Sequence, residues 1–152
     1  MNELTLLIDN WGHKELKEYL LNLKGIIEVN INNEKNLLVY IKYDSNLIKA
    51  KTVEMEILLF LDVLKTPSLL SFDKHTNSIT KNYKIVRKDI CCEYCFKGAI
   101  EELFEIEGIE KATSNFYKED YNEKDNVVIE INYDSKLLNE ENVKQIEINL
   151  NI

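Results

Sequence analysis

The spacing of apolar residues changes period twice in the second half of the chain. Lys84–Ile90 predicts a short strand. From Phe96 the apolar positions Phe96, Ala99, Ile100, Leu103 and Ile106 recur at helical spacing, one face of an amphipathic helix. Gly108 then stands where a helix C-cap glycine belongs, with Ile109 after it. A strand is expected near Ile109–Phe116, followed by a polar loop. Val127, Ile129, Ile131 and Tyr133 alternate with polar residues after Val128, as a half-buried strand should. The first half predicts strand Leu4–Ile8, helix His13–Leu23 (face Leu16, Tyr19, Leu20, Leu23), cap Gly25 and strand Ile26–Ile31. It continues with strand Leu37–Tyr43, helix Thr52–Leu64, Pro67 as a stop signal and strand Ser68–Phe72. That order is βαββαβ, in which two helices cover one face of a four-stranded antiparallel sheet.

The two halves repeat one another. Tyr43-Asp44-Ser45 returns as Tyr133-Asp134-Ser135, an offset of 133 − 43 = 90. Val39–Lys42 before it matches Ile129–Asn132, and Leu47-Ile48 after it matches Leu137-Leu138. Upstream, Leu20, Leu23, Gly25 and Ile26 correspond to Leu103, Ile106, Gly108 and Ile109, where the offset is 108 − 25 = 83. The change implies 90 − 83 = 7 extra residues in the second copy, between Ala112 and Val127. The polar stretch Lys118–Asp125 lies there and reads as an enlarged hairpin loop. Two copies of one unit follow, with residues 1–74 and 83–152 as domains and 75–82 as the linker.

Composition narrows the partners. Hydrophobic residues make up 45% of the 152 and charged residues 30%, enough apolar material for cores, and four glycines with one proline leave little room for extended disorder. Net charge is −8, and no Lys/Arg cluster could track a phosphate backbone, which excludes nucleic acid and an anionic membrane surface. The longest apolar run, Ile57–Leu61, is far short of the ~20 residues of a membrane span. The Met1-Asn2-Glu3-Leu4 start lacks the basic and small-residue features of a signal peptide, so a cytoplasmic location is expected. There is no Ser/His/Asp spacing and no Gly-rich phosphate loop, and the chain is not expected to be an enzyme.

The three cysteines all fall within Cys91–Cys95. A disulfide scaffold would scatter an even number, so the cluster points to metal or redox chemistry. Cys91, Cys92 and Cys95 lie between a predicted strand and a predicted helix. Unpaired N–H groups at a helix start favour thiolate over thiol. Two thiolates suit Cu(I), which accepts low coordination by soft sulfur. Zn(II) or Cd(II) would draw further ligands from Asp89, Glu93, Cys91 or a partner. A closed zinc site would need a fourth ligand, and His13 and His75 are both distant in sequence. A thioredoxin-like role lacks its usual partners, since Glu93-Tyr94 separates the cysteines and the loop has no proline.

Residues 83–152 resemble a heavy-metal-associated (HMA) domain, the kind found in copper chaperones and the N-terminal tails of heavy-metal P-type ATPases. Cys92 and Cys95 match the family's metal cysteines. Gly108-Ile109 matches its Gly-Val at the same spacing (108 − 95 = 13), and Asn115-Phe116 resembles its Asn-Phe. Asp89-Ile90 replaces Gly-Met, Cys91 takes the Thr/Asp place, and Glu140–Gln145 leaves room for only a short second helix before Ile146–Ile152. By the 83-residue offset, Asp9 and Gly12 stand in the first copy where Cys92 and Cys95 stand in the second, so the first is a degenerate HMA-like domain without metal cysteines. Trp11 lies beside that dead site.

The resemblance implies an α+β chain of two tandem ferredoxin-like βαββαβ domains. It implies one metal site at Cys92 and Cys95, with Cys91 as a third candidate, for one soft ion, Cu(I) or Zn(II)/Cd(II). The ion would pass to or from a metal-donor or metal-acceptor protein, including a membrane metal transporter, by ligand exchange. A ferredoxin-like interaction module and a thiol-redox domain are the competing readings. Glu101, Glu102, Glu105, Glu107 and Glu110 form either a solvated acidic face or a patch for a basic partner.

Overall fold

The computed structural model of the chain describes residues 2–9, 15–33, 36–61, 68–76, 78–88, 93–116, 121 and 126–150. The chain divides into two compact units, Met1–Thr76 and Asn77–Ile152. Among the described residues no helix is long and apolar enough to cross a membrane.

Unit 1 runs β1 (Asn2–Ile8), α1 (Leu16–Leu21), β2 (Ile26–Asn33), β3 (Leu37–Tyr43), α2 (Ala50–Phe60), β4 (Leu69–Asp73). Its strands lie in the order β2-β3-β1-β4, and its strand pairs are antiparallel. The period-2 pattern explains the central strand. Leu4, Leu6 and Ile8 are fully buried on one side of β1, while Glu3, Thr5 and Leu7 point to the other. Leu6 meets Val39 on β3 and Phe72 on β4, all three buried. α1 packs on β2 and against α2. In α2, Val53 and Ile57 are buried as the helical period requires, Leu61 is buried just past the helix end, and Leu59 faces out. The remainder of the expected helix, 62–64, and Pro67 lie outside the described residues.

Unit 2 runs β5 (Thr80–Arg87), α3 (Glu93–Glu105), β6 (Ile109–Ser114), β7 (Val127–Asp134), α4 (Glu140–Asn149), with strand order β6-β7-β5. β5 begins inside the stretch expected as linker. Thr80, Lys81 and Asn82 are exposed and carry no apolar signal, but they pair with Asp134, Tyr133 and Asn132 as the edge of the ladder.

A larger correction concerns the end of the chain. Ile146–Ile152 alternates apolar and polar residues and reads as a final strand, yet 146–149 are helical. Asn139 caps α4 in a reciprocal pair with Asn142: each side chain accepts from the other's backbone N–H, at 2.8 and 3.0 Å. Once the helix is started, Val143, Ile146 and Leu150 fall on its inner side at helical spacing. Ile148, inward in any strand, is left 71% exposed. The described residues of unit 2 are therefore βαββα rather than the expected βαββαβ.

The same local bonds close both units. Gly25 and Gly108 have φ of 101° and 100°. The carbonyl of Gly25 accepts from the Asp44 N–H at 2.8 Å, and that of Gly108 from the Asp134 N–H at 2.7 Å. Each aspartate then caps its own turn, Asp44 Oδ1 accepting from Asn46 N–H and Asp134 Oδ1 from Lys136 N–H. The register shifts between Ile26 and Glu28 on β2, and between Ile109 and Lys111 on β6.

Tyr83 and Arg87 on β5 hold α4 in place. The Tyr83 hydroxyl donates to Glu147, whose carboxylate also pairs with Arg87 at 3.2 Å, and Arg87 donates to the Glu147 carbonyl at 2.9 Å. The bond to Glu147, then burial, pushes the Tyr83 phenol up from 10.0 to about 12. A raised folded-state value means that tyrosinate forms first in the unfolded chain. The contribution is whole below pH 10 and is lost as pH rises toward about 12. Alkaline denaturation followed by tyrosinate absorbance and circular dichroism should place part of the stability loss in that window. Tyr83→Phe should remove that part; an unaltered alkaline decline in this variant would refute the link.

Candidate metal site

Cys95 sits in the first turn of α3, two residues after the helix begins at Glu93. It is half-buried. The helix is anchored directly beneath it: Phe96, Ile100 and Leu103 are fully buried, and Ala99 and Phe104 nearly so. Cys95 lies one turn before Ala99, at the margin of this face, so the fold fixes its backbone while leaving the side chain partly open.

A second support comes from the β6–β7 hairpin. Phe116 stacks on Phe96 with centroids 4.8 Å apart and an interplanar angle of 21°, and Tyr121 packs on Phe116 at 5.3 Å. Asn115 closes the hairpin neck. Its side chain donates to the Asn126 carbonyl and accepts from the Val128 N–H, both at 2.9 Å. The Asn115-Phe116 pair thus ties the mouth of the enlarged loop to the residue that follows Cys95. Of that loop, Lys118–Asp125, only Tyr121 is among the described residues.

Cys91, Cys92, Asp89 and Ile90 lie outside the described residues, as do His13, Gly12 and Trp11. Among the described residues no three His, Cys, Asp or Glu side chains group for a metal ion. His75 is occupied elsewhere: its Nε2 lies 2.6 Å from the Thr5 hydroxyl, its backbone N–H donates to Asp73, and its ring meets Tyr40 edge-on.

Strand pairing corrects the correspondence expected for Asp9. Leu4 pairs with Ile41 and Tyr83 with Ile131, and since 131 − 41 = 90, Leu4 and Tyr83 hold equivalent places at an offset of 83 − 4 = 79. Gly25 and Gly108 are offset by 108 − 25 = 83. Unit 2 thus carries 83 − 79 = 4 more residues between its first strand and the turn after its first helix. By the strand register Asp9 corresponds to Lys88, not Cys92. It also has a structural task, since its carboxylate accepts from the Ser68 N–H at 2.7 Å and its own N–H donates to the Ser68 carbonyl. Asp9 thereby closes β1 on the start of β4. The extra residues of unit 2 lie between β5 and the Gly108 turn, and a sequence offset taken from the helix alone cannot reveal this.

No family model matches the chain, and no curated protein matches it. Among solved structures it is similar to the solution structure of the N-terminal soluble domains of Bacillus subtilis CopA, with 15% identity and a TM-score of 0.37, over 97% of this chain and 88% of that one.

Proposed function

We propose that the chain is a metal-handling module built from two ferredoxin-like repeats, of which only the second carries a site. Cys92 and Cys95 bind one soft ion as cargo, Cu(I) or Zn(II)/Cd(II), with Cys91 as a further thiolate. The observation that carries this reading is the place of Cys95, half-buried in the first turn of a helix whose inner face is fully packed. The partial positive charge at a helix start favours thiolate, and soft sulfur selects the ion. The repeated glycine and aspartate bonds of the two units support their common origin.

Two sulfurs hold Cu(I) with coordination to spare. A partner's thiolate adds first, giving a three-coordinate ion, and a cysteine of this chain then leaves as the partner's second sulfur arrives. No step needs a redox change or a catalytic base, so the module carries cargo without acting as an enzyme. The partners are a metal-donor or metal-acceptor protein, including a membrane metal transporter. A cytoplasmic setting would keep the thiols reduced.

Equilibrium dialysis of the reduced chain against Cu(I) and Zn(II), read with sulfur-to-metal charge-transfer absorption, tests the reading. About one ion per chain is expected, with the absorption band rising in step with occupancy. Uptake without that band, or no uptake of either ion, would overturn it.

A further inference from the structure

The two units differ at one place where their topology makes them comparable. In unit 1 the groove between α1 and α2 is plugged by an aromatic pair. Tyr19 stacks on Phe60 at 4.4 Å and 15°, and its hydroxyl donates to Glu56. At the offset of 83 Tyr19 corresponds to Glu102, and at the offset of 90 Glu56 and Phe60 correspond to Ile146 and Leu150. None of these three residues of unit 2 is aromatic, so the stacked pair has no counterpart at those places. A cavity of about 320 Å³ stands there, lined by Glu102, Glu105, Ile106, Ile146, Asn149 and Leu150.

The chemistry of this cavity is one-sided. Its floor is apolar, with Leu150 buried and Ile106 and Ile146 half-buried. Its rim carries the exposed residues Glu102 and Glu105. α3 ends at Glu105 and α4 at Asn149, so both helices bring their C-terminal ends to the same place, and neither has a basic residue in its last turn. The partial negative charge of two helix ends therefore adds to that of the carboxylates. A group that fits must have an apolar stem and a cationic head, which is the build of lysine and arginine side chains.

We propose that the α3–α4 groove of unit 2 is a docking site for a basic, amphipathic segment of another protein. An apolar side chain or aliphatic stem of the partner occupies the place Tyr19 fills in unit 1, and its cations meet Glu102 and Glu105. The groove lies toward the far end of α3 from Cys95, and the proposal does not depend on the metal reading.

The probe is a capped Leu/Lys amphipathic peptide of about fourteen residues, long enough for a marginal helix, added to the isotope-labelled full chain. Amide shifts should move at 102–106 and 146–150, and affinity should fall steeply with salt. Glu102→Lys/Glu105→Lys, both at exposed positions, should weaken binding at least about tenfold with the fold intact. Glu102→Tyr/Ile146→Glu/Leu150→Phe, which copies the plug of unit 1, should weaken it as much by filling the groove. Shifts centred elsewhere, absence of binding, or equal affinity for wild type and the lysine variant would overturn the proposal. So would spermidine binding as tightly as the peptide, which would make the groove a small-cation site. A wild-type dimer in sedimentation that the lysine variant dissolves would instead assign the groove to a second copy and equally refute a foreign partner.

Discussion

Gly108→Ala is expected to lower the stability of unit 2 by about 3 kcal/mol, one of the largest effects of any single methyl group in the chain. The cost has two sources. At φ of 100° any L side chain is strained, by roughly 1–2 kcal/mol for alanine. A Cβ there would also stand 2.9 Å from Leu138 Cγ, 3.0 Å from its Cδ1 and 3.3 Å from Leu137 Cβ. Those atoms follow the Asp134 turn, whose N–H is bonded to the Gly108 carbonyl, so they cannot retreat without loosening that bond. Gly25→Ala should do the same to unit 1, where a Cβ would meet Leu47 and Ile48 at 2.9 Å. Gly98 supplies the control. It lies within α3, is exposed, and has nothing within 4 Å of an added Cβ. Gly98→Ala should therefore stabilise unit 2 by about 0.5–1 kcal/mol. Urea unfolding of the three variants reads the signs directly. Against the roughly 5–15 kcal/mol that holds a small domain together, Gly108→Ala should shift the midpoint visibly. A midpoint unmoved by Gly108→Ala would mean that the turn is not built as described.

What the sequence displayed of this fold depended on whether one face of an element was buried. Leu4, Leu6 and Ile8 on β1 and Ile129, Ile131 and Tyr133 on β7 alternate because one side of each strand faces a core, and their positions were legible residue by residue. Gly25 and Gly108 were legible because few other residues tolerate their backbone angle. Thr80–Asn82 were not, since an edge strand exposed on both faces needs no apolar residue. The final helix is hidden for a different reason. Ile146, Ile148 and Leu150 fit a strand period, and the decision belonged to the Asn139–Asn142 cap and to Val143, which the alternation hides. The cysteine segment was legible as chemistry but not as geometry. The four additional residues between β5 and the Gly108 turn come to light only when strand pairing and the glycine turns are compared. The α3–α4 groove left no sequence signal at all, because an absent aromatic plug is visible only beside Tyr19 and Phe60 of the first unit.

Cys92→Ser/Cys95→Ser is expected to lower Cu(I) affinity at least about a thousandfold, the loss of two thiolate bonds from a site that needs only two. Serine keeps the size and hydrogen-bonding capacity of cysteine but gives a hard, protonated oxygen where a soft anion is required. Cys95 is only half-buried, so the change should leave stability within about 1 kcal/mol, and an unfolding curve separates lost ligands from lost fold. Competition against a coloured Cu(I) chelator measures the affinity. The single variant Cys91→Ser then identifies the ion the site is built for. Cu(I) is content with two sulfurs, so removing Cys91 should change its affinity less than about tenfold. Zn(II) seeks four ligands, and loss of a third thiolate should weaken it by about a hundredfold or more. A Cys91→Ser chain that binds Cu(I) normally while losing Zn(II) would therefore define a two-sulfur site with a borderline-metal extension. Equal retention of both ions in Cys92→Ser/Cys95→Ser would remove these cysteines from metal chemistry and leave Cys95 as a packing residue above Ala99.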